Sequence, residues 1–224
     1  LGLGLDHSPA EVAAMIETCG MGFLFAPTFH PATRAVAELR RKLAIRTIFN
    51  ILGPLTNPSG VKEQLIGVYD PKRTRLMAET LQEFGVNHAL VVSAEIGLDE
   101  ISPNGVTFVT HLQQGKIRDY SVRPADFGAR ETASDVIRGG GPAENAQILR
   151  TILQGKPHAA RIAVALNAAA ALLVGGATED FKEGFALAEE ILKSGKAWEK
   201  CEELINFSHQ LVAKRENLSP VLTH

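Results

Sequence analysis

The chain has 224 residues, enough for one large domain or two small ones, and its 45% hydrophobic and 21% charged content suits a globular protein with a packed core. A formal net charge of -2, with no Lys/Arg run longer than Arg40-Arg41-Lys42, excludes a sequence-wide electrostatic footprint for nucleic acid. No apolar run reaches membrane-spanning length, since the Ala-rich stretch from Ile162 to Val174 is too short and is interrupted by Asn167.

Two further readings concern the compartment. The N-terminus carries no basic region of a secretory leader. Cys19 and Cys201 lie far apart with no metal-ligand spacing, and read as reduced, packed thiols of a cytoplasmic protein.

Ser8-Pro9-Ala10-Glu11 is a capping box with Pro at the first helical position, so a helix is expected to run to Thr18 and stop at Gly20. Pro31 opens a second expected helix through about Leu43, with Val36, Leu39 and Leu43 as its apolar stripe. The stretch from Arg46 to Pro58 begins apolar and ends in a Gly53-Pro54…Asn57-Pro58 turn. It reads either as bare backbone brought close to a ligand or as a plain strand-to-loop connection. Gln64 to Val68 is a short buried strand, Asp70-Pro71 caps a helix ending at Phe84-Gly85, and Ala89 to Ser93 is the next strand. This strand–helix–strand run argues for an α/β unit with a crossover helix. Val106 to Leu112 and Ile117 to Val122 read as a hairpin. The remainder is helical: Ala143 to Gln154, Arg161 to Val174, Glu179 to Ser194, and Ala197 to about Lys214, before a tail expected to fray.

Four places could carry chemistry. Gly97-Leu98-Asp99-Glu100 follows a strand, where open α/β sheets place their ligands. Adjacent carboxylates after a permissive Gly make a hard oxygen site suited to Mg²⁺, or else a solvated acidic turn. Adjacent residues on a strand face opposite ways, so two carboxylates serving one ion require a turn here. Arg40 sits on the shoulder of the Val36–Leu39–Leu43 stripe, where a guanidinium can meet a carboxylate or simply face solvent. Arg41 and Lys42 fit the solvent reading better. Gly139-Gly140-Gly141-Pro142 precedes a helix but lacks the Lys-Ser/Thr of a P-loop, and reads as a flexible joint rather than a phosphate cradle. His30 beside Pro31 reads as a packing or capping residue. No Ser-His-Asp or Cys-His nucleophile pattern is visible.

Several stretches, in order along almost the whole chain, resemble the anthranilate phosphoribosyltransferase family. They are Gly22-Phe23-Leu24-Phe25-Ala26-Pro27 with Phe29-His30-Pro31-Ala32, then Arg40-Arg41-Lys42-Leu43, then Arg46 to Pro58. Gly97-Leu98-Asp99-Glu100, Asn145-Ala146 and Leu166-Asn167-Ala168-Ala169-Ala170 follow. The resemblance implies a mixed, mainly parallel sheet surrounded by helices, in one α/β catalytic domain over residues 1–224. It also implies transfer of phosphoribosyl from 5-phosphoribosyl 1-diphosphate to anthranilate, in tryptophan biosynthesis. In the family's pattern Arg40 binds the anthranilate carboxylate, Gly53 and Pro54 lie beside the aromatic ring, and Asp99 and Glu100 hold Mg²⁺. A cytoplasmic homodimer without nucleic-acid or membrane partners is implied for the full-length enzyme.

Departures from the pattern are also visible. The family's Gly-Thr-Gly-Gly-Asp and Lys-His-Gly-Asn-Arg segments are not among these residues, so the chain looks like the last two-thirds of such an enzyme and is expected to have little or no transferase activity alone. Ser93-Ala94-Glu95 stands where the family has a His-Gly stretch, and Ile162 where it commonly has Asp. Two other readings stay open on the sequence: a pyrimidine nucleoside phosphorylase-like enzyme, and a non-catalytic nucleic-acid- or ligand-binding relative.

Overall fold

The structure is a computed structural model that describes residues 1–30, 42 and 49–218. The helix expected from Pro31 to about Leu43, with Arg40 on it, lies outside the described residues apart from Lys42. Two compact units are formed. One comprises residues 1–49 and 195–224, the other residues 50–194.

In the first unit, α1 (Pro9–Cys19) begins with the expected capping box. The Glu11 N–H donates to Ser8 Oγ at 3.3 Å, and the Ser8 N–H donates to Glu11 Oε2 at 2.7 Å. Gly20 ends the helix in the left-handed region, φ 74°. A short α2 (Ala26–Phe29) follows. The long C-terminal helix Lys196–Leu218 packs on α1, burying Met15, Cys19 and Leu204. It runs past the expected end near Lys214. Ser208, His7 and Glu11 fall in line, with Ser208 Oγ 2.8 Å from His7 Nε2 and His7 Nδ1 3.9 Å from Glu11 Oε2. Ser208 and His7 are buried, and Ser208 Oγ accepts the Gly4 N–H, so the row works as a latch for residues 1–8 rather than as a nucleophile.

The second unit holds the sheet. Strands β1 (Glu63–Gly67), β2 (His88–Ala94), β3 (Thr107–Gln113) and β4 (Lys116–Val122) lie in the order β1-β2-β3-β4. The β1–β2 pair is parallel, and the other two pairs are antiparallel. The sheet is mixed, as expected. Its parallel share among the described residues is one pair, because only the β1–β2 link contains a crossover helix, Thr74–Glu83. Residues 95–106 return without a helix, and β3–β4 is a two-residue hairpin. Its turn residues Gln114 (φ 49°) and Gly115 (φ 76°) both have positive φ, as a type I′ turn requires.

Each sheet face is covered. Met77, Ala78 and Leu81 of the crossover helix pack on Ile66, Ala89, Val91 and Leu112. On the other face Leu90, Val92 and Val109 meet Leu166, Ala169, Ala170 and Val174 of the helix Arg161–Val174. That helix packs in turn on Phe181–Ser194 through Gly184, whose Cβ would fall 2.8 Å from the Ala169 carbonyl oxygen. The two helices are also tied by the Arg161–Glu189 pair, Nε–Oε1 3.1 Å.

One sheet face carries a chain of buried polar groups. Tyr120 Oη lies 3.2 Å from His111 Nδ1, and His111 Nε2 lies 2.9 Å from His88 Nε2. His88 also hydrogen-bonds the Val174 backbone, at a helix end whose carbonyl has no helical partner. His88 Nε2 is taken up by His111, which leaves Nδ1 for the Val174 backbone. Across each of the two contacts one atom donates and the other accepts, the direction following the tautomer of His111. The His88–His111 contact needs one ring nitrogen to accept, so the two imidazoles cannot both be protonated. Burial lowers the His88 pKa, and burial with His88 and Arg118 nearby pushes His111 down to about 4. Burial raises the Tyr120 hydroxyl to about 12.

An unfolded His111 takes its proton near pH 6.5, whereas the folded one resists until about 4. The stabilisation is therefore whole above pH 6.5 and fades as pH falls toward 4, by about 2–3 kcal/mol. Thermal melts should show a steeper loss between pH 7 and 5 than in His111→Leu. Parallel curves for the two proteins would contradict this account.

Candidate functional site

At the carboxyl end of β2 the chain turns through Glu95-Ile96-Gly97. The Gly97 N–H donates to the Ala94 carbonyl, the Ala94 N–H donates to the Leu98 carbonyl, and Gly97 takes φ 83°, which favours glycine. Asp99 and Glu100 follow in an exposed, non-regular bend. The bend removes the strand geometry that would have faced the two carboxylates apart, and both line one cavity of about 820 Å³. Leu65, Gly67 and Val92 of the sheet form its floor. Ile148, Ile152 and Val164 form its apolar walls, with Arg138, Asn145 and Asn167 as further polar groups.

Negative charge is crowded at the two carboxylates. Loss of water around the Glu100 carboxyl, and then the neighbouring Asp99, raise the Glu100 pKa. Two adjacent carboxylates that repel one another beside open space fit a hard divalent cation, which takes one or two carboxylates and fills its shell with water and phosphate oxygens. Among the described residues no three His, Cys, Asp or Glu side chains cluster as a full metal cage. The donor set therefore suits Mg²⁺ shared with a phosphate ligand better than Zn²⁺.

Gly53 and Pro54 are not among the residues that line this cavity. Arg40 lies outside the described residues. Gly53 and Pro54 are not in a turn, as the sequence reading had it, but in the last part of a short helix, Phe49–Leu55. Pro54 withholds one helical N–H from a segment that ends one residue later. The Thr56 hydroxyl donates to the Leu52 and Gly53 carbonyls, each at 3.1 Å, and closes the helix. Gly53 has no positive φ, and nothing lies within 4 Å of where its Cβ would be.

The flexible joint expected at Gly139-Gly140-Gly141 is instead bridged. The Gly140 N–H donates to Asn145 Oδ1 at 2.9 Å, and Asn145 Nδ2 donates to the Gly140 carbonyl at 3.0 Å. Gly139 and Arg138 thereby border the cavity. Gly67 is a residue the sequence reading missed. A Cβ there would stand 1.6 Å from the Asp99 carbonyl oxygen, so the bend carrying the carboxylates crosses directly over the end of β1. A lone Gly within an apolar strand pattern is the signal that could have found it.

Comparison with known proteins identifies the family. The Glycosyl transferase family, a/b domain, matches residues 1–198, and the chain belongs to that family. It is similar to the anthranilate phosphoribosyltransferase of Clostridium kluyveri, with 47% identity over 209 residues, 93% of this chain and 62% of that protein. Among solved structures, the anthranilate phosphoribosyltransferase of Thermus thermophilus superposes with a TM-score of 0.85 at 40% identity, covering 93% of this chain and 62% of that one. The Saccharomyces cerevisiae enzyme in complex with PRPP and Mg gives a TM-score of 0.85 at 30% identity, covering 93% and 60%. The chain thus spans a little over three-fifths of the length of the relatives it matches. No helix among the described residues is long and apolar enough to cross a membrane.

Proposed function

We propose that this chain is the metal- and acceptor-handling part of an anthranilate phosphoribosyltransferase. In the reaction the anthranilate nitrogen forms a bond to ribose C1 of 5-phosphoribosyl 1-diphosphate, the bond from C1 to the diphosphate oxygen breaks, and the amine gives up a proton. The products are N-(5-phosphoribosyl)anthranilate and diphosphate. The observation that carries this reading is the Asp99-Glu100 pair, turned toward one cavity at the carboxyl end of a sheet strand.

Asp99 and Glu100 would hold Mg²⁺. When bound, that ion neutralises negative charge on the diphosphate as it leaves. The work of the chain's own residues is placement. The carboxylates would hold the cation that meets the diphosphate, and the apolar walls limit water around the donor. Arg40 takes the anthranilate carboxylate, and Gly53-Pro54 shapes the acceptor pocket. Both units are read as parts of one catalytic domain, a reading supported by the single family match across residues 1–198. The full-length enzyme is read as a cytoplasmic homodimer acting in tryptophan biosynthesis.

A direct test is a chimera in which the Clostridium kluyveri enzyme supplies the length outside the match. Loss of anthranilate fluorescence should require both PRPP and Mg²⁺. Failure to consume anthranilate, with the chimera folded, would sink the proposal.

The same chimera tests Arg40. A guanidinium offers a flat two-pronged donor to a benzoate-type carboxylate, a pairing worth roughly 1.5–3 kcal/mol. Arg40→Ala should raise the KM for anthranilate by about one to two orders of magnitude and leave that for PRPP nearly unchanged. Arg41→Ala is the control and should do little. Equal effects of the two substitutions would remove Arg40 from the acceptor site.

A further inference from the structure

The bend carrying Asp99 and Glu100 has no regular secondary structure to hold it, and both residues are exposed. Two adjacent carboxylates left to themselves would splay apart into water. Directly after them the chain dives inward, and Ile101 is 1% exposed. Both backbone polar groups of Ile101 go to a single side chain. Its N–H donates to Asn167 Oδ1 at 2.9 Å, and its carbonyl accepts from Asn167 Nδ2 at 3.0 Å.

The Asn167 amide group also donates to the Ala163 carbonyl at 2.9 Å, one turn back on its own helix. One acceptor and two donor hydrogens are thus all matched, and a flipped amide would set N–H against N–H. The helix beneath is itself fixed, with Ala163, Leu166, Ala169 and Ala170 buried against its neighbours and Arg161 tied to Glu189. Asn167 borders the same cavity as the two carboxylates.

We propose that Asn167 is a positioning residue for the Asp99-Glu100 pair, clamping the Ile101 backbone so that both carboxylates stay turned toward one cation. It touches neither cation nor substrate, and acts on binding through the backbone of the bend. The inference rests on the reading of Asp99 and Glu100 as cation ligands. A residue that only filled space would contribute to stability and not to cation affinity. Outer partners that orient metal ligands commonly change affinity by about 10–100-fold when removed.

The test is Mn²⁺ binding to the 224-residue chain, read from the electron paramagnetic resonance signal of free Mn²⁺ below the melting range of every variant. Asn167→Leu, which removes all three bonds, should weaken Mn²⁺ by about tenfold or more. Asn167→Gln keeps the amide but displaces it, and should fall between the two. It carries the comparison if Asn167→Leu does not fold. Val174→Ala, at the far end of the same helix and buried in the core, is the stability control and should bind as the unaltered chain does. Asp99→Asn with Glu100→Gln should abolish saturable binding.

If both Asn167 variants bind normally while the carboxylate variant does not, the positioning role is overturned and the cation reading stands. Weakening by Val174→Ala equal to that by Asn167→Leu overturns it as well, by showing a general effect of stability. If the unaltered chain binds no Mn²⁺, or the carboxylate variant binds as well as it does, the cation reading falls and takes the inference with it.

Discussion

Replacing Asp99 with Asn and Glu100 with Gln together should lower turnover of the full-length chimera by about three orders of magnitude, the scale on which a divalent cation stabilises transferring charge. Mn²⁺ binding should disappear in parallel. The fold should survive. Both residues are exposed, yet partial loss of water around the Glu100 carboxyl, with Asp99 beside it, raises its pKa, so the charged form is held at a cost to stability. For an acid with a raised folded pKa, stability is greater when protonated and declines as pH rises through the unfolded value toward the folded one. An uncharged amide removes that cost, and the melting temperature at pH 7 should stay level or rise slightly. A residue set that costs stability and carries function is the usual signature of an active site. A double variant that retained turnover at saturating Mg²⁺, or that lost turnover only because it unfolded, would remove these two residues from the site.

The elements were legible where local chemistry is strong. Ser8-Pro9-Ala10-Glu11 and Gly20 bracket a helix seen at Pro9–Cys19, and the expected helix from Arg161 to Val174 is found with both ends as read. The place of Asp99 and Glu100 was legible too, because a Gly after a β-strand followed by two adjacent carboxylates is a local pattern. Gly53-Pro54 was misread because Gly and Pro punctuate turns in general, whereas here a Thr56 hydroxyl rescues the carbonyls of a short helix. The Gly139–Gly141 run was read from its flexibility, and the Asn145 amide that bridges it depends on a side chain five residues from its partner. Asn167 and His111 carry meaning only through partners 66 and 23 residues away, contacts that the fold creates and no window of sequence contains.

Gly67→Ala should disable the site without touching any ligand. An ideal Cβ at this position lies 1.6 Å from the Asp99 carbonyl oxygen and 2.6 Å from its carbonyl carbon. Both atoms are backbone, so no rotamer change can make room, and either β1 or the bend must move. β1 is the better held of the two. It is paired with β2 from Glu63↔His88 to Gly67↔Val92, and the Val68 N–H continues the ladder to the Val92 carbonyl at 2.9 Å. The bend is exposed and is secured chiefly through Ile101. It should therefore be the bend that lifts, drawing Asp99 away from the cavity floor and straining the Asn167 clamp. Overpacking of this kind costs about 1–3 kcal/mol, a fall in melting temperature of roughly 3–10 °C for a chain of this size. The loss of Mn²⁺ affinity should be larger than that fall implies, at least about tenfold under conditions where the protein is fully folded. Amide exchange should quicken across residues 97–103 and stay slow in β1 and β2. Fast exchange in β1 with the bend still protected would mean that the strand yields instead. Unchanged melting and Mn²⁺ binding would mean that Asp99 does not need the space Gly67 leaves.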